Sequence, residues 1–221
     1  MLSGKNRLGF HQVYESIRET CQATGRFPHA VSLLAVSKNQ GDKEIVPLLK
    51  AGQRWFGENR VQEAAAKWPK LREQYPGLRL HLIAPLQTNK IRQTLELFDV
   101  IESVDRPSLV LKLAKEWENP KRITTKLLIQ VNTGREPQKS GVLPEDLPAL
   151  VDLCQRFSLP LTGLMGIPPV DDDPAPHFQL LADLAHYYNL PDLSMGMSGD
   201  YPIAIAHGAT WVRVGKALWA S

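Results

Sequence analysis

The chain has 221 residues, 43% hydrophobic and 22% charged, with a formal charge of +3. Those proportions suit a globular protein, and so small a charge, with basic residues spread among acidic ones, argues against nucleic acid as a partner. No apolar run approaches the ~20 residues that span a bilayer, the start Met1 to Arg7 lacks the apolar segment of a secretory signal, and Cys21 and Cys154 have neither metal-like nor redox spacing, so a cytoplasmic protein is expected.

A helix is expected first, over 7–24, where Leu8, Val13, Ile17 and Cys21 recur at helical spacing. Strands are expected at 31–37, 54–58, 79–84, 99–104, 126–132, 161–167, 192–197 and 211–215. Between them, helical patterns cover 42–51, 60–74, 88–97, 106–118, 144–157, 174–189 and 200–207. Asp42, Asp105 and the Asp171-Asp-Asp-Pro-Ala-Pro lead-in read as helix starts, and Gly52, Gly77 and Gly208 as helix ends. Strands alternating with helices imply a parallel sheet. Eight strands with seven intervening helices fall one helix short of a closed (β/α)8 barrel. The N-terminal helix, within 1–25, is expected to cover the place after strand eight. With no linker, repeat or low-complexity segment, the expectation is one α/β domain over 1–221, a single TIM barrel occupying 31–221.

Val31 to Val36 is a nearly continuous apolar run, as in a strand covered on both faces. Ser37-Lys38-Asn39-Gln40-Gly41 then breaks it. That places Lys38 at the C-terminal mouth of the barrel, where such folds carry their chemistry. The plain alternative is a lysine that snorkels to solvent.

Barrels commonly hold phosphate with the loops after strands seven and eight. Here strand seven runs into Met197-Ser198-Gly199-Asp200-Tyr201-Pro202. Small residues let backbone N–H groups approach an anion, Ser198 adds a hydroxyl, and Pro202 suits a helical first turn, so N–H groups around 199–201 face the same point. Strand eight ends Arg213-Val214-Gly215-Lys216. A Gly-Ser turn beside a surface lysine is the alternative. Val212 and Val214 suit the helix-covered exterior, which sends Arg213 into the barrel. A buried guanidinium needs a fixed acceptor, either Glu58 or Glu102 or an atom of a bound ligand.

Further blocks lie on the other strand ends: Phe56-Gly-Glu-Asn59-Arg-Val-Gln-Glu63, His81-Leu-Ile-Ala-Pro-Leu-Gln-Thr-Asn-Lys90, Ile101-Glu-Ser-Val-Asp105, Gln130-Val-Asn-Thr-Gly-Arg-Glu136 with Lys139-Ser-Gly141, Gly163-Leu-Met-Gly-Ile167, Leu193-Ser-Met-Gly-Met-Ser198 and Gly208-Ala-Thr-Trp-Val-Arg-Val-Gly215. With Ala35-Val-Ser-Lys38 they resemble, in order, the signature blocks of the pyridoxal-phosphate homeostasis proteins. The resemblance implies a barrel of fold-type III, like the N-terminal domain of alanine racemase, binding pyridoxal 5′-phosphate (PLP). It implies that Lys38 forms a Schiff base and that Arg213 meets the pyridine nitrogen. Ser198, with backbone N–H groups of Gly199, Gly215 and Lys216, is implied to hold the phosphate. Asn59 is placed beside the ring, with Met197, Ser194 and His81 as further pocket candidates. Asn59 has a competing role, since with Gln62 it resembles a helix-capping pair. Lys216 stands where the family often has Ser or Thr, and Trp219-Ala220 where Phe-Gly is usual.

An attacking lysine must be neutral, and desolvation at a barrel mouth with Arg213 nearby would favour that form. Arginine has no acceptor, so it donates to an unprotonated ring nitrogen and leaves a weak electron sink. Racemases of this fold add a C-terminal β-domain carrying a second base. Only six residues follow Gly215, so none is expected, and Tyr201 and His207 read as parts of the last helix. The expected role is a monomeric, non-catalytic PLP carrier that buffers the cofactor or delivers it to apo PLP-dependent enzymes, with effects on amino-acid and keto-acid metabolism; no metal is expected. The alternatives are a small PLP-dependent racemase or decarboxylase and, beyond the family, an unrelated phosphate-ligand barrel enzyme.

Overall fold

The structure, a computed structural model, describes residues 4–117 and 124–219, with side chains from residue 9 onward. Its strands are β1 (Ser32–Val36), β2 (Trp55–Glu58), β3 (Arg79–Leu82), β4 (Val100–Val104), β5 (Lys126–Val131), β6 (Leu161–Gly166), β7 (Asp192–Met197) and β8 (Trp211–Val214). All pair in parallel with their sequence neighbours, and β1 pairs with β8, which closes the sheet into the expected (β/α)8 barrel. The helices are α1 (Gly4–Ala23), α2 (Asp42–Lys50), α3 (Val61–Gln74), α4 (Ile91–Leu97), α5 (Pro107–Trp117), α6 (Leu147–Arg156), α7 (Pro174–Tyr187), α8 (Tyr201–Ala206) and α9 (Lys216–Trp219). Position 118 of the expected helix 106–118, residues 1–3 and Ala220 lie outside the described residues.

Alternation along each strand sorts the side chains into two cores. Leu33, Ala35, Leu80, Leu82, Leu127, Ile129, Val212 and Val214 point outward into the layer beneath the helices. Each such leucine, fully buried, contributes about 1.5–3 kcal/mol. Val100, Leu128 and Met165 form a separate small cluster inside the barrel. Beside it and above it the lumen is polar, with His81, Glu102, Ser194 and Arg213 all buried.

α1 lies where the expectation put it, against α8, α9 and α2. Phe10, Val13, Ile17 and Cys21 form its buried stripe. The chain differs from the expectation at α9, a single turn after β8. α1 and α9 touch so closely that a Cβ on Gly9 would lie 2.5 Å from the Ala217 carbonyl oxygen. Two helices also start late. Over 88–97 a 3₁₀ turn (Thr88–Lys90) precedes α4. α6 begins at Leu147 because Pro148, lacking an N–H, is accommodated in a first turn but not further in. Among the described residues, no helix is long and apolar enough to cross a membrane.

Candidate functional site

At the C-terminal mouth, the loops after β1, β7 and β8 surround a cleft of about 750 Å³ lined by Val36, Lys38, Asn39, Gln40, Ser198, Gly215, Lys216, Ala217 and Trp219. No carboxylate lines it. Lys38 and Lys216 are exposed, and among the described residues neither ammonium has a hydrogen bond or ion pair. Trp219 closes one wall, its indole N–H donating to the Val36 carbonyl at 2.7 Å.

The turn after β7 has only part of its backbone capacity taken. The Asp200 carboxylate accepts the Met197 N–H at 2.5 Å, and the Asp200 N–H donates to the Met197 carbonyl at 3.1 Å. Ser198, Gly199 and Gly215 keep backbone N–H groups with no acceptor among the described residues. Gly196, just before this turn, has φ 90 and packs so tightly that a Cβ would lie 2.6 Å from the Ala204 Cβ. A side chain there would push α8 away and open the turn.

The Lys38 loop is held from outside the barrel. Lys67 of α3 donates to the carbonyls of Ser37 (3.0 Å) and Gln40 (3.2 Å) and pairs with the buried Glu58 at 2.7 Å. Glu58 also accepts the Ser37 hydroxyl at 2.6 Å and the Trp68 indole N–H at 3.0 Å. Glu63 takes the N–H of Asn39, whose φ is 60. Backbone on both sides of Lys38 is therefore anchored while its ammonium remains solvated.

Arg213 points into the lumen, as the alternation implies, and lies beneath the cleft. Its Nη1 donates to Ser194 Oγ at 2.7 Å and its Nη2 to the Gly166 carbonyl at 2.8 Å. Ser194 in turn donates to Glu102 at 2.6 Å, and Glu102 meets His81 Nδ1 at 2.5 Å. Of the two structural acceptors considered for Arg213, the lumen uses Glu102, 4.0 Å away; Glu58 faces the helices. Burial alone would push the Glu102 carboxyl up, but the His81 hydrogen bond, the charges of His81 and Arg213, and the Ser194 hydroxyl outweigh it and hold Glu102 below its ordinary value. Burial lowers the Arg213 guanidinium, against the opposing pull of Glu102 and Asp200. The charge of Arg213 is thus already met within the lumen, and Lys38 is exposed at the mouth.

The fold brings Lys38, Ser198, Gly215 and Lys216 to one cleft and stacks Arg213, Ser194 and His81 below it. Met197 and Gly199 instead line a neighbouring hollow with Ile167 and Pro168, and Asn59 lines a third with Arg60, Gln87 and Lys90. Asn59 is not a cap: Arg60 precedes α3, and no side chain caps that helix. Trp219 and Lys67 were not anticipated. Trp219 stands where the resemblance implies a terminal aromatic, a signal available in the sequence. Lys67 shows only helical i,i+4 spacing to Glu63, which says nothing of its reach to the loop after β1.

The alanine racemase N-terminal domain family matches residues 13–221. The pyridoxal phosphate homeostasis protein of Vibrio cholerae is 42% identical over 217 residues, covering 93% of this chain and 90% of that protein. That of Pseudomonas aeruginosa is also 42% identical, covering 95% and 93%. Among solved structures, PipY of Synechococcus elongatus with PLP bound is 39% identical, with a TM-score of 0.72 over 92% of this chain and 100% of that one. An alanine racemase from Clostridium difficile, at 13% identity and a TM-score of 0.71, shares the fold. By the extent and identity of these matches, the chain belongs to the pyridoxal phosphate homeostasis protein family, built on the alanine racemase N-terminal domain.

Proposed function

We propose that this protein binds PLP in the mouth cleft and serves intracellular PLP homeostasis, holding the cofactor rather than turning over an amino acid. The observation that carries this is the donor set: two unpaired lysines, the Ser198 hydroxyl and unmatched backbone N–H groups, with no carboxylate on the wall. Such a cleft fits a compact dianion that also bears an aldehyde. When bound, the cofactor supplies that aldehyde and an electron-withdrawing ring.

Lys38 tethers it as a Schiff base. Ser198 and the N–H groups of Gly199, Gly215 and Lys216 hold the phosphate, with the Lys216 ammonium adding charge. Each Nη of Arg213 uses one N–H in the lumen, which leaves donors to face the ring nitrogen. Ser194 orients Arg213, while Asn59 and Met197 lie further out on the rim. A carrier role is supported by the fate of the candidate bases: the Tyr201 hydroxyl is bonded to Ser16 at 2.8 Å and His207 to Gln179 at 3.0 Å. The protein acts in the cytoplasm as a single-domain monomer, buffering PLP and releasing it to apoenzymes.

Purified protein incubated with PLP should turn yellow, and borohydride should fix the cofactor on Lys38, both lost in Lys38→Ala. A chain that stays colourless overturns the reading. Lys38-dependent turnover of any of a panel of L- and D-amino acids at enzyme-like rates would overturn the carrier part alone. Release to an apoenzyme faster than free dissociation is the sign of delivery; equal rates mean buffering only.

A further inference from the structure

We propose that the floor of the barrel holds a second ligand site, for a small aromatic acid whose hydroxyl meets His81 and whose carboxylate meets Lys126. A hollow of about 280 Å³ opens at the N-terminal end, opposite the mouth, between Trp55, His81, Val100, Leu128, Trp211 and Lys126. His81 is fully buried. It registers with Val100, so Glu102 lies one lumen layer closer to the mouth, and His81 Nδ1 is turned up to it. The two ring nitrogens diverge, which leaves Nε2 facing the floor, where it has no partner among the described residues. A buried ring nitrogen without a hydrogen bond is costly. With Nδ1 turned to a carboxylate, Nε2 is the ring nitrogen left to bond a ligand, and a hydroxyl, which can both donate and accept, complements it.

The walls select a flat, apolar body. The indoles of Trp55 and Trp211 pack at 4.7 Å between centroids, and Trp211 lies 4.8 Å from the His81 ring. The rim offers one loosely held cation. Both oxygens of Asp99 are taken, by Arg79 at 2.9 Å and by Arg72 at 2.6 Å with the Leu80 N–H. Asp192 and Lys126 are only loosely paired, at 3.7 Å. Of the two cations that line the hollow, Arg79 is committed to Asp99, and Lys126, held by Asp192 only at 3.7 Å, is the one able to turn to a ligand carboxylate. The site shares no wall residue with the mouth cleft.

The test is a titration of the full chain with 4-hydroxybenzoate, read by tryptophan fluorescence and calorimetry, with benzoate and phenol as comparisons. Saturable binding is expected, with 4-hydroxybenzoate about five-fold tighter than benzoate, the worth of one net hydrogen bond. His81→Phe should make the two acids equal, and Lys126→Ala should weaken both acids while leaving phenol unchanged. Lys38→Ala should leave floor binding intact whether or not PLP binds above. No saturable binding, equal affinity for the two acids, or loss in Lys38→Ala overturns the proposal. Should His81→Phe fail to fold, the exposed Lys126→Ala decides, and unchanged acid affinity counts against the site.

Discussion

The mouth and the lumen of this barrel handle charge in opposite ways. At the mouth, Lys38 and Lys216 are exposed and, among the described residues, unpaired, and the backbone around Lys38 is fastened by groups outside the barrel. A few residues below, Arg213, Ser194, Glu102 and His81 are buried and joined in one hydrogen-bonded chain. The difference follows from solvation. A charge meeting water can wait for a ligand, whereas a charge sealed among side chains must have its partner built in. Reactivity and structural cost are therefore separated along the same axis.

That contrast can be broken most directly in the lumen. Arg213→Met or Glu102→Gln should each cost about 3–5 kcal/mol, because each strands a buried partner. The double substitution Glu102→Gln with Arg213→Met should cost less than the two single losses together; strict additivity in urea unfolding would mean that the pair is not coupled. Next comes the outer clamp. Lys67→Met removes the counter-ion of buried Glu58 and two loop bonds, so a loss of about 2–4 kcal/mol is expected, with Lys67→Arg recovering part of it.

A smaller effect is expected from pH. Glu102 sits below its ordinary value of 4.5 in the folded chain, so its contribution is complete above that value and is lost as pH falls through the lower folded one. The Tm should drop on acidification below about pH 4.5, and Glu102→Gln should flatten that part of the curve. Smallest of all is the mouth: Lys38→Ala and Lys216→Ala should each change stability by no more than about 0.5 kcal/mol, while the proposed tether predicts that Lys38→Ala also loses cofactor attachment. A large destabilisation there would make Lys38 a structural residue and erase the distinction.

Much of this was legible in the residues. The eight strands follow from short apolar runs between polar turns, and Lys38 stands out because a charged residue ends such a run. Arg213 was sent inward by Val212 and Val214. Its acceptor was not determined, because Glu58 and Glu102 are both strand carboxylates. Their parity separates them once the faces are known. Glu58 shares the outer face of β2 with Phe56, whereas Gly57 looks inward onto Leu34. Glu102 shares the inner face of β4 with Val100. The three hollows at the mouth were not legible either, since loop residues adjacent in sequence, such as Met197 and Ser198, turn to different sides of a tight turn.

By itself the sequence determined the periodicity, the alternation of strands and helices that implies a parallel sheet, the lysine at the first strand's end and the inward arginine at the last. These depend on local alternation and on which residue types tolerate burial. The tertiary structure decided which charges meet. Ser194, Glu102 and His81 come from three different strands, and their contact depends on barrel closure and register, which no local pattern encodes.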